Sequence, residues 1–180
     1  MARSPARTVN DELIALRDGG GEAVVRFTRD HAPAVLGWCI RLSGPDVDPA
    51  GLAESVMGRV LSDLHRLPVD ASIRAVFLQR VLAAVQKRES RPWWRRARPE
   101  PEGGSAARAR VRATLCRLPL TERAALVLID IEGMRVAAAA QLLGVPVGEV
   151  ARRLSAARKT FSDAARTEGL SHDALAEVGR

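Results

Sequence analysis

Leu142-Leu143-Gly144-Val145-Pro146 constrains the fold more than any other run in the chain, because no helix passes through it unchanged. A glycine just past an apolar pair takes the left-handed conformation that closes a helix at little cost. A proline two residues later suits the first turn of the next helix, where its missing N–H would be unpaired anyway. Upstream, Leu118 onward reads as an apolar helix followed by a short one, with Thr121 as the expected N-cap. Downstream comes a longer basic helix. Val150, Leu154, Ala157 and Phe161 recur at helical spacing and form an apolar face. Gly148, Arg152, Ser155 and Lys159 lie largely opposite, flanked by Arg153 and Arg158. This is the pattern of a helix-turn-helix, whose second helix enters the major groove of DNA. Glu149, in the first turn, suits either of two tasks. It can accept from a cytosine amino group, or it can complement the helix dipole.

Composition supports an all-α chain. Apolar residues make up 47% of the sequence, but aromatic ones only 3%, with no Tyr. Cores of Ala, Val and Leu suit helical bundles, and β-branched alternation is scarce. The net charge is +7, carried mostly by arginine, and the isoelectric point is about 11.0. Arginine favours bidentate contacts to phosphate and guanine, so a polyanion is the expected partner. No leader peptide and no bilayer-length apolar run stands out, which points to a soluble cytoplasmic protein.

The chain divides by pattern. Residues 1–10 are basic and polar. A short helix over Asp11 to Arg17 should end at the hinge Gly19-Gly20-Gly21. A helix from Glu22 to Leu42 carries Val24, Val25, Phe27, Val35, Leu36 and Trp38, and Pro33 should kink or break it. A third, over Pro49 to His65, has Leu52, Val56, Val60 and Leu64 on one stripe. A fourth, over Ala71 to Glu89, turns Ile73, Phe77, Val81, Leu82 and Val85 inward. RPWWRRARPEPEGGSAA, from Arg91, has no helical period and reads as a flexible linker. The expected layout is therefore two small helical domains, at 10–90 and 107–166, joined by a linker at 91–106. A tail at 167–180 would hold one short helix near Asp173 to Val178.

Two separate stretches, in order, resemble the extracytoplasmic-function group of bacterial sigma-70 family factors. FTRDHAPAVLGWCIRLSG, Phe27 to Gly44, is similar to the opening helix of region 2. LPLTERAALVLIDIEGMRVAAAAQLLGVPVGEVARRLSAAR, from Leu118, is similar to region 4. The resemblance implies a sigma factor that directs RNA polymerase to a subset of promoters. Region 2 would bind the β′ coiled coil of core polymerase and melt the −10 element. Region 4 would dock on the β flap and read the −35 element, and an anti-sigma factor is an implied further partner. By the same resemblance, the −35 contacts fall to Gly148, Glu149, Arg152, Arg153, Ser155, Arg158 and Lys159. Polymerase contacts fall to Asp48, Leu52, Glu54 and Met57. Read from the residues themselves, the candidates for unpaired −10 bases are Arg88, Arg91, Trp93, Trp94, Arg95 and Arg96, where indoles interleaved with guanidinium groups suit stacking on single strands; the alternative is that the two indoles cover the apolar end of the first domain.

The chain departs from the family pattern in places. Where the family carries an acidic cluster and a Gln-Glu pair, this chain has Asp48-Pro49-Ala50-Gly51-Leu52-Ala53-Glu54-Ser55. Near the −10 reading site it has Phe77-Leu78, then Ala84 and Arg88. Two alternatives to a full sigma factor follow. One is a sigma-derived regulator that binds duplex DNA without melting it, and the other is a protein-interaction module. Nothing points to an enzyme, a cofactor or a metal. His31, His65 and His172 lie in separate segments, and Asp30-His31 reads as a solvated helix position. Cys39 and Cys116 lack metal-ligand spacing and read as buried free thiols.

Overall fold

The computed structural model describes residues 9–44, 46–68, 71–90 and 106–168, and among these every regular element is helical. In chain order they are α1 (Val9–Asp18), α2 (Gly20–Leu42), α3 (Pro49–Ser62), a 3-10 turn (Leu64–Arg66), α4 (Ile73–Glu89), α5 (Ala106–Cys116), α6 (Leu120–Leu126), a π-helical turn (Val127–Ile131), α7 (Val136–Leu143) and α8 (Val147–Glu168). The expected linker core and the expected tail helix lie outside the described residues.

The first bundle is α1–α4. The expected hinge is a tight joint: Gly19 alone separates α1 from α2, and Gly20 has φ +56°, which a side chain would resist. Arg17 ties α1 to the 3-10 turn by donating to the Leu64 carbonyl at 2.9 Å and the Leu67 carbonyl at 2.5 Å. Of the kink or break expected at Pro33, the break does not occur: α2 runs on to Leu42. Buried residues lie on both sides of it, Phe27 before and Val35, Trp38, Cys39 and Leu42 after. That burial favours a continuous helix despite the hydrogen bond the proline removes. Val25 and Leu36, expected inward, are exposed.

Asp48 starts α3. Its carboxylate accepts from the backbone N–H of Ala50 and of Gly51, both at 3.0 Å, with Pro49 in the first turn. A Cβ on residue 51 would stand 2.5 Å from Asp48 Oδ2, so glycine leaves room for this cap. The stripe Leu52, Val56, Val60 and Leu64 is buried against α2 and α4, as its spacing predicts. Ser72 caps α4. Phe77 is fully buried and stacks on Phe27 with ring centroids 5.7 Å apart. His31 joins them 4.5 Å from the Phe27 ring and bonds Glu12 at 2.8 Å, so it is a packed residue rather than a solvated one.

The second bundle is α5–α8. Pro119, not Thr121, stands at the N-cap of α6, and its carbonyl takes the N–H of Arg123 at 2.9 Å. Past α6 the helix widens into a π turn, closed by Glu132 N–H on the Val127 carbonyl at 2.9 Å. Gly133 (φ +66°) then turns the chain into α7. Gly144 adopts the expected left-handed conformation at φ +65°, and the N–H of Val145 reaches back to the Ala140 carbonyl at 3.1 Å. This pair of features is a Schellman-type stop. Pro146 sits one residue before α8 rather than inside it, its carbonyl accepting from Glu149 and Val150.

The bundles meet where α2 touches α5 and α6 and where α4 touches α7. Glu132 accepts from Arg41 of α2 at 2.6 Å and from Arg74 of α4 at 2.9 Å. In the opposite sense, Glu89 of α4 pairs with the buried Arg123 of α6. Arg112 donates to the Val47 carbonyl at 3.4 Å, and the Cys116 thiol to the Ser43 carbonyl at 3.3 Å.

Leu154 is buried in this second core, 6% exposed. Leu154→Ala is expected to lower unfolding free energy by about 2–5 kcal/mol, as cavity-forming substitutions do. Urea denaturation checks it, and a wild-type midpoint would refute the assigned packing of α8.

Candidate nucleic-acid interface

A helix can present one face to a groove only if its other face is held. In α8 that hold is Val150, Leu154, Ala157 and Phe161, each 6% exposed or less, packed towards α5, α6 and α7. The rest of the turn-by-turn pattern then follows from helix geometry. Gly148, Arg152, Ser155 and Lys159 are exposed, as their spacing predicts. Arg153 is half-buried and Arg158 is exposed.

The basic face is already engaged by carboxylates. Glu149 accepts from Arg152 at 2.9 and 2.7 Å and from Arg153 at 2.7 Å. Those two guanidinium groups hold its carboxyl far below the ordinary range, at about 2. Arg158 is gripped by Asp130 of the π turn at 2.9 and 2.6 Å. The i,i+3 and i,i+4 pairs from Glu149 are legible in the sequence. The Asp130 pair is not: its members are 28 residues apart and meet only because the π turn re-aims Asp130 towards α8. A DNA phosphate or a guanine edge offers the same bidentate geometry as these carboxylates, so it can take an arginine over from them.

Residues 108–161, which contain α6, the π turn, α7 and most of α8, match the family described as Sigma-70, region 4. Two solved structures agree in fold. One is CnrH in complex with the cytosolic domain of CnrY, at 22% identity and TM-score 0.69, covering 87% of this chain and 96% of that one. The other is the sigma factor RpoE in complex with the anti-sigma factor NepR from Bartonella quintana, at 19% identity and TM-score 0.62, covering 78% and 97%. No curated protein matches the chain. The expected all-α fold of two helical bundles therefore holds among the described residues, and the second bundle carries the region 4 match.

Elsewhere in the chain the candidates fare unevenly. Of the four polymerase candidates, Leu52 and Met57 are core residues, 1% and 7% exposed, and have no face to offer a partner. Their positions follow from the same stripe that holds α3 on α2. Asp48 spends its carboxylate on its own helix cap, and Glu54 alone is exposed with no structural task shown. Arg88 is half-buried near the end of α4. Arg91, Trp93, Trp94, Arg95 and Arg96 lie outside the described residues. Cys39 is buried and its thiol is pushed up to about 12 by desolvation; Cys116 is half-buried and raised for the same reason. Both are poor thiolates, consistent with the expected free thiols. No helix among the described residues is long and apolar enough to cross a membrane.

Three substitutions on α8 have distinct expected outcomes. Arg152→Ala should weaken specific duplex binding by about 1–3 kcal/mol, as loss of one bidentate base contact does. Lys159→Ala should weaken binding evenly across sequences and flatten the salt dependence by about one phosphate contact. Glu149→Ala should act in the opposite direction, freeing two arginines and steepening the salt dependence. Its lowered value fixes the pH behaviour as well. A depressed carboxyl stays ionised above its ordinary range and is lost only as pH falls towards 2, so Glu149 should add no step to the affinity between pH 4 and 9. Fluorescence anisotropy over a salt and pH series measures all of these.

Proposed function

We propose that this protein is a sigma factor that directs core RNA polymerase to a subset of promoters. In that reading α8 lies in the major groove of the −35 element, with Gly148, Glu149, Arg152, Arg153, Ser155, Arg158 and Lys159 along the contact. The observation that carries it is the division of α8 into a buried apolar stripe and an exposed basic face, seated on a glycine-stopped turn within a region 4 match. The first bundle, taken as residues 10–90, meets the β′ coiled coil and the −10 strand. Residues 91–106 connect it to region 4 at 107–166, which also meets the β flap. The fold is shared with two proteins solved in complexes, one of them with an anti-sigma factor. An anti-sigma partner is therefore part of the reading.

One observation favours the second reading, a regulator that binds duplex DNA without melting it. The polar signature of α3 is reduced to Glu54, because Asp48 is consumed as a cap and Leu52 and Met57 are buried. Run-off transcription with core polymerase on genomic promoter fragments separates the two. Promoter-dependent transcripts that need this protein are expected, and Arg152→Ala should reduce them by about tenfold or more, the equivalent of the lost base contact. Duplex binding without transcripts would establish the regulator instead. Neither binding nor transcripts would leave a protein-interaction module.

A further inference from the structure

We infer that Val147, with Ala151 one turn further on, reads the 5-methyl group of a thymine in the promoter duplex, beside the guanine offered to Arg152. The inference rests on the major-groove reading of α8 above and names what the first turns of that helix recognise. Among the described residues, the large apolar side chains left exposed are Ile14, Val25, Leu36 and Val147, and only Val147 belongs to the second bundle. A lone exposed valine needs no explanation, but this one stands at a particular place. It is the first residue of α8 and is 52% exposed, three residues before the fully buried Val150 that begins the apolar stripe. In a helix-turn-helix, the N-terminal residues of the second helix are those that meet base edges.

The neighbours of Val147 fit that task. Ala151, four residues on, shares its side of the helix and is exposed. Gly148 carries no side chain, and a Cβ built there would meet nothing within 4 Å. Backbone and two short apolar side chains can therefore come close to the groove floor. Ser155 continues the exposed strip one turn beyond Ala151. Arg152 does not cover it, because its guanidinium is drawn to Glu149, which lies nearly opposite Val147 around the helix. The first two turns of α8 thus show a methyl-bearing flank on one side and arginines on the other.

The chemistry of that flank selects among bases. In the major groove every base presents donors or acceptors, and thymine alone adds a methyl group. Set against a donor or acceptor, the methyls of Val147 and Ala151 would displace its water and return no hydrogen bond. Set against thymine, they remove two apolar surfaces from water. A valine has one strongly preferred rotamer in a helix, so little freedom is lost in the contact. Spacing adds a second constraint. Val147 and Arg152 are about 7.5 Å apart along the helix at 1.5 Å per residue, or roughly two base pairs at 3.4 Å each. The thymine should therefore stand within about two base pairs of the guanine.

Duplexes of random sequence are enriched on the full chain, alone and assembled with core RNA polymerase, with core polymerase by itself as the blank. The bound sites are then remade with deoxyuridine in place of single thymines, an exchange that removes one methyl group and leaves the protein untouched. At one thymine, within about two base pairs of a guanine whose replacement matters to wild type and not to Arg152→Ala, the exchange should lower affinity about 3–5-fold, the worth of one buried methyl. Val147→Ala should bring that ratio below about 2, while Arg152→Ala should weaken binding and keep it. Because Val147 is exposed, Val147→Ala should retain the wild-type circular dichroism and unfolding midpoint. A wild-type ratio of one at every thymine would overturn the inference. So would a ratio that survives in Val147→Ala, or a sensitive thymine remote from that guanine. Enrichment of no duplex in either form would overturn the groove reading of α8 itself, and the inference with it.

Discussion

Burial of Val150, Leu154, Ala157 and Phe161 against α5, α6 and α7 is the interaction on which the rest of region 4 depends. With that stripe seated, α8 has one rotational setting, and the side chains opposite point to solvent by helix geometry alone. The turn before it contributes in a different way. Gly144 stops α7 in a left-handed conformation, and the Pro146 carbonyl caps the start of α8, so the angle between the helices is set by backbone rather than by side-chain packing. The apolar stripe supplies the stability and the turn supplies the direction.

A net charge of +7 suggests an open field of arginines, but the structure distributes it otherwise. Glu149 holds Arg152 and Arg153, Asp130 holds Arg158, Glu132 holds Arg41 and Arg74, and Glu89 holds Arg123. On the surface such pairs are worth little and are screened by salt, so at α8 they order the guanidinium groups more than they stabilise the fold. At the buried junction the balance differs. There, removing a carboxylate would leave a nearly dry arginine short of a charged partner, which costs far more than the loss of a surface pair.

Helix existence and the apolar registers of α3, α4 and α8 were legible in the sequence, because each rests on a local period of 3.6 that tertiary packing then used. Leu52 to Leu64 and Val150 to Phe161 are the clearest cases. A family role does not override that period: Leu52, a polymerase candidate by resemblance, sits in the stripe, and Met57 is buried beside it. Pro33 shows the limit of a local rule: of the kink or break it predicts, the break is absent, and buried residues lie on both sides of the proline. The π turn left no trace in composition. It adds one residue to a helical turn, and that changes which way Asp130 and Glu132 face without altering any apolar repeat.

That single widened turn links the two halves of the molecule. Asp130 and Glu132 are two residues apart in the chain, yet the first turns inward to α8 and the second outward to α2 and α4. In a regular α-helix, residues two apart do not share a face, and a π turn with Gly133 immediately after it exaggerates the divergence. The segment therefore steadies the basic helix on one side and holds the first bundle on the other. A change of backbone here, whether by substitution at Gly133 or by a partner drawing Glu132 away, would be felt at both. Coupling of this kind needs no long pathway, because one short stretch of backbone carries both carboxylates.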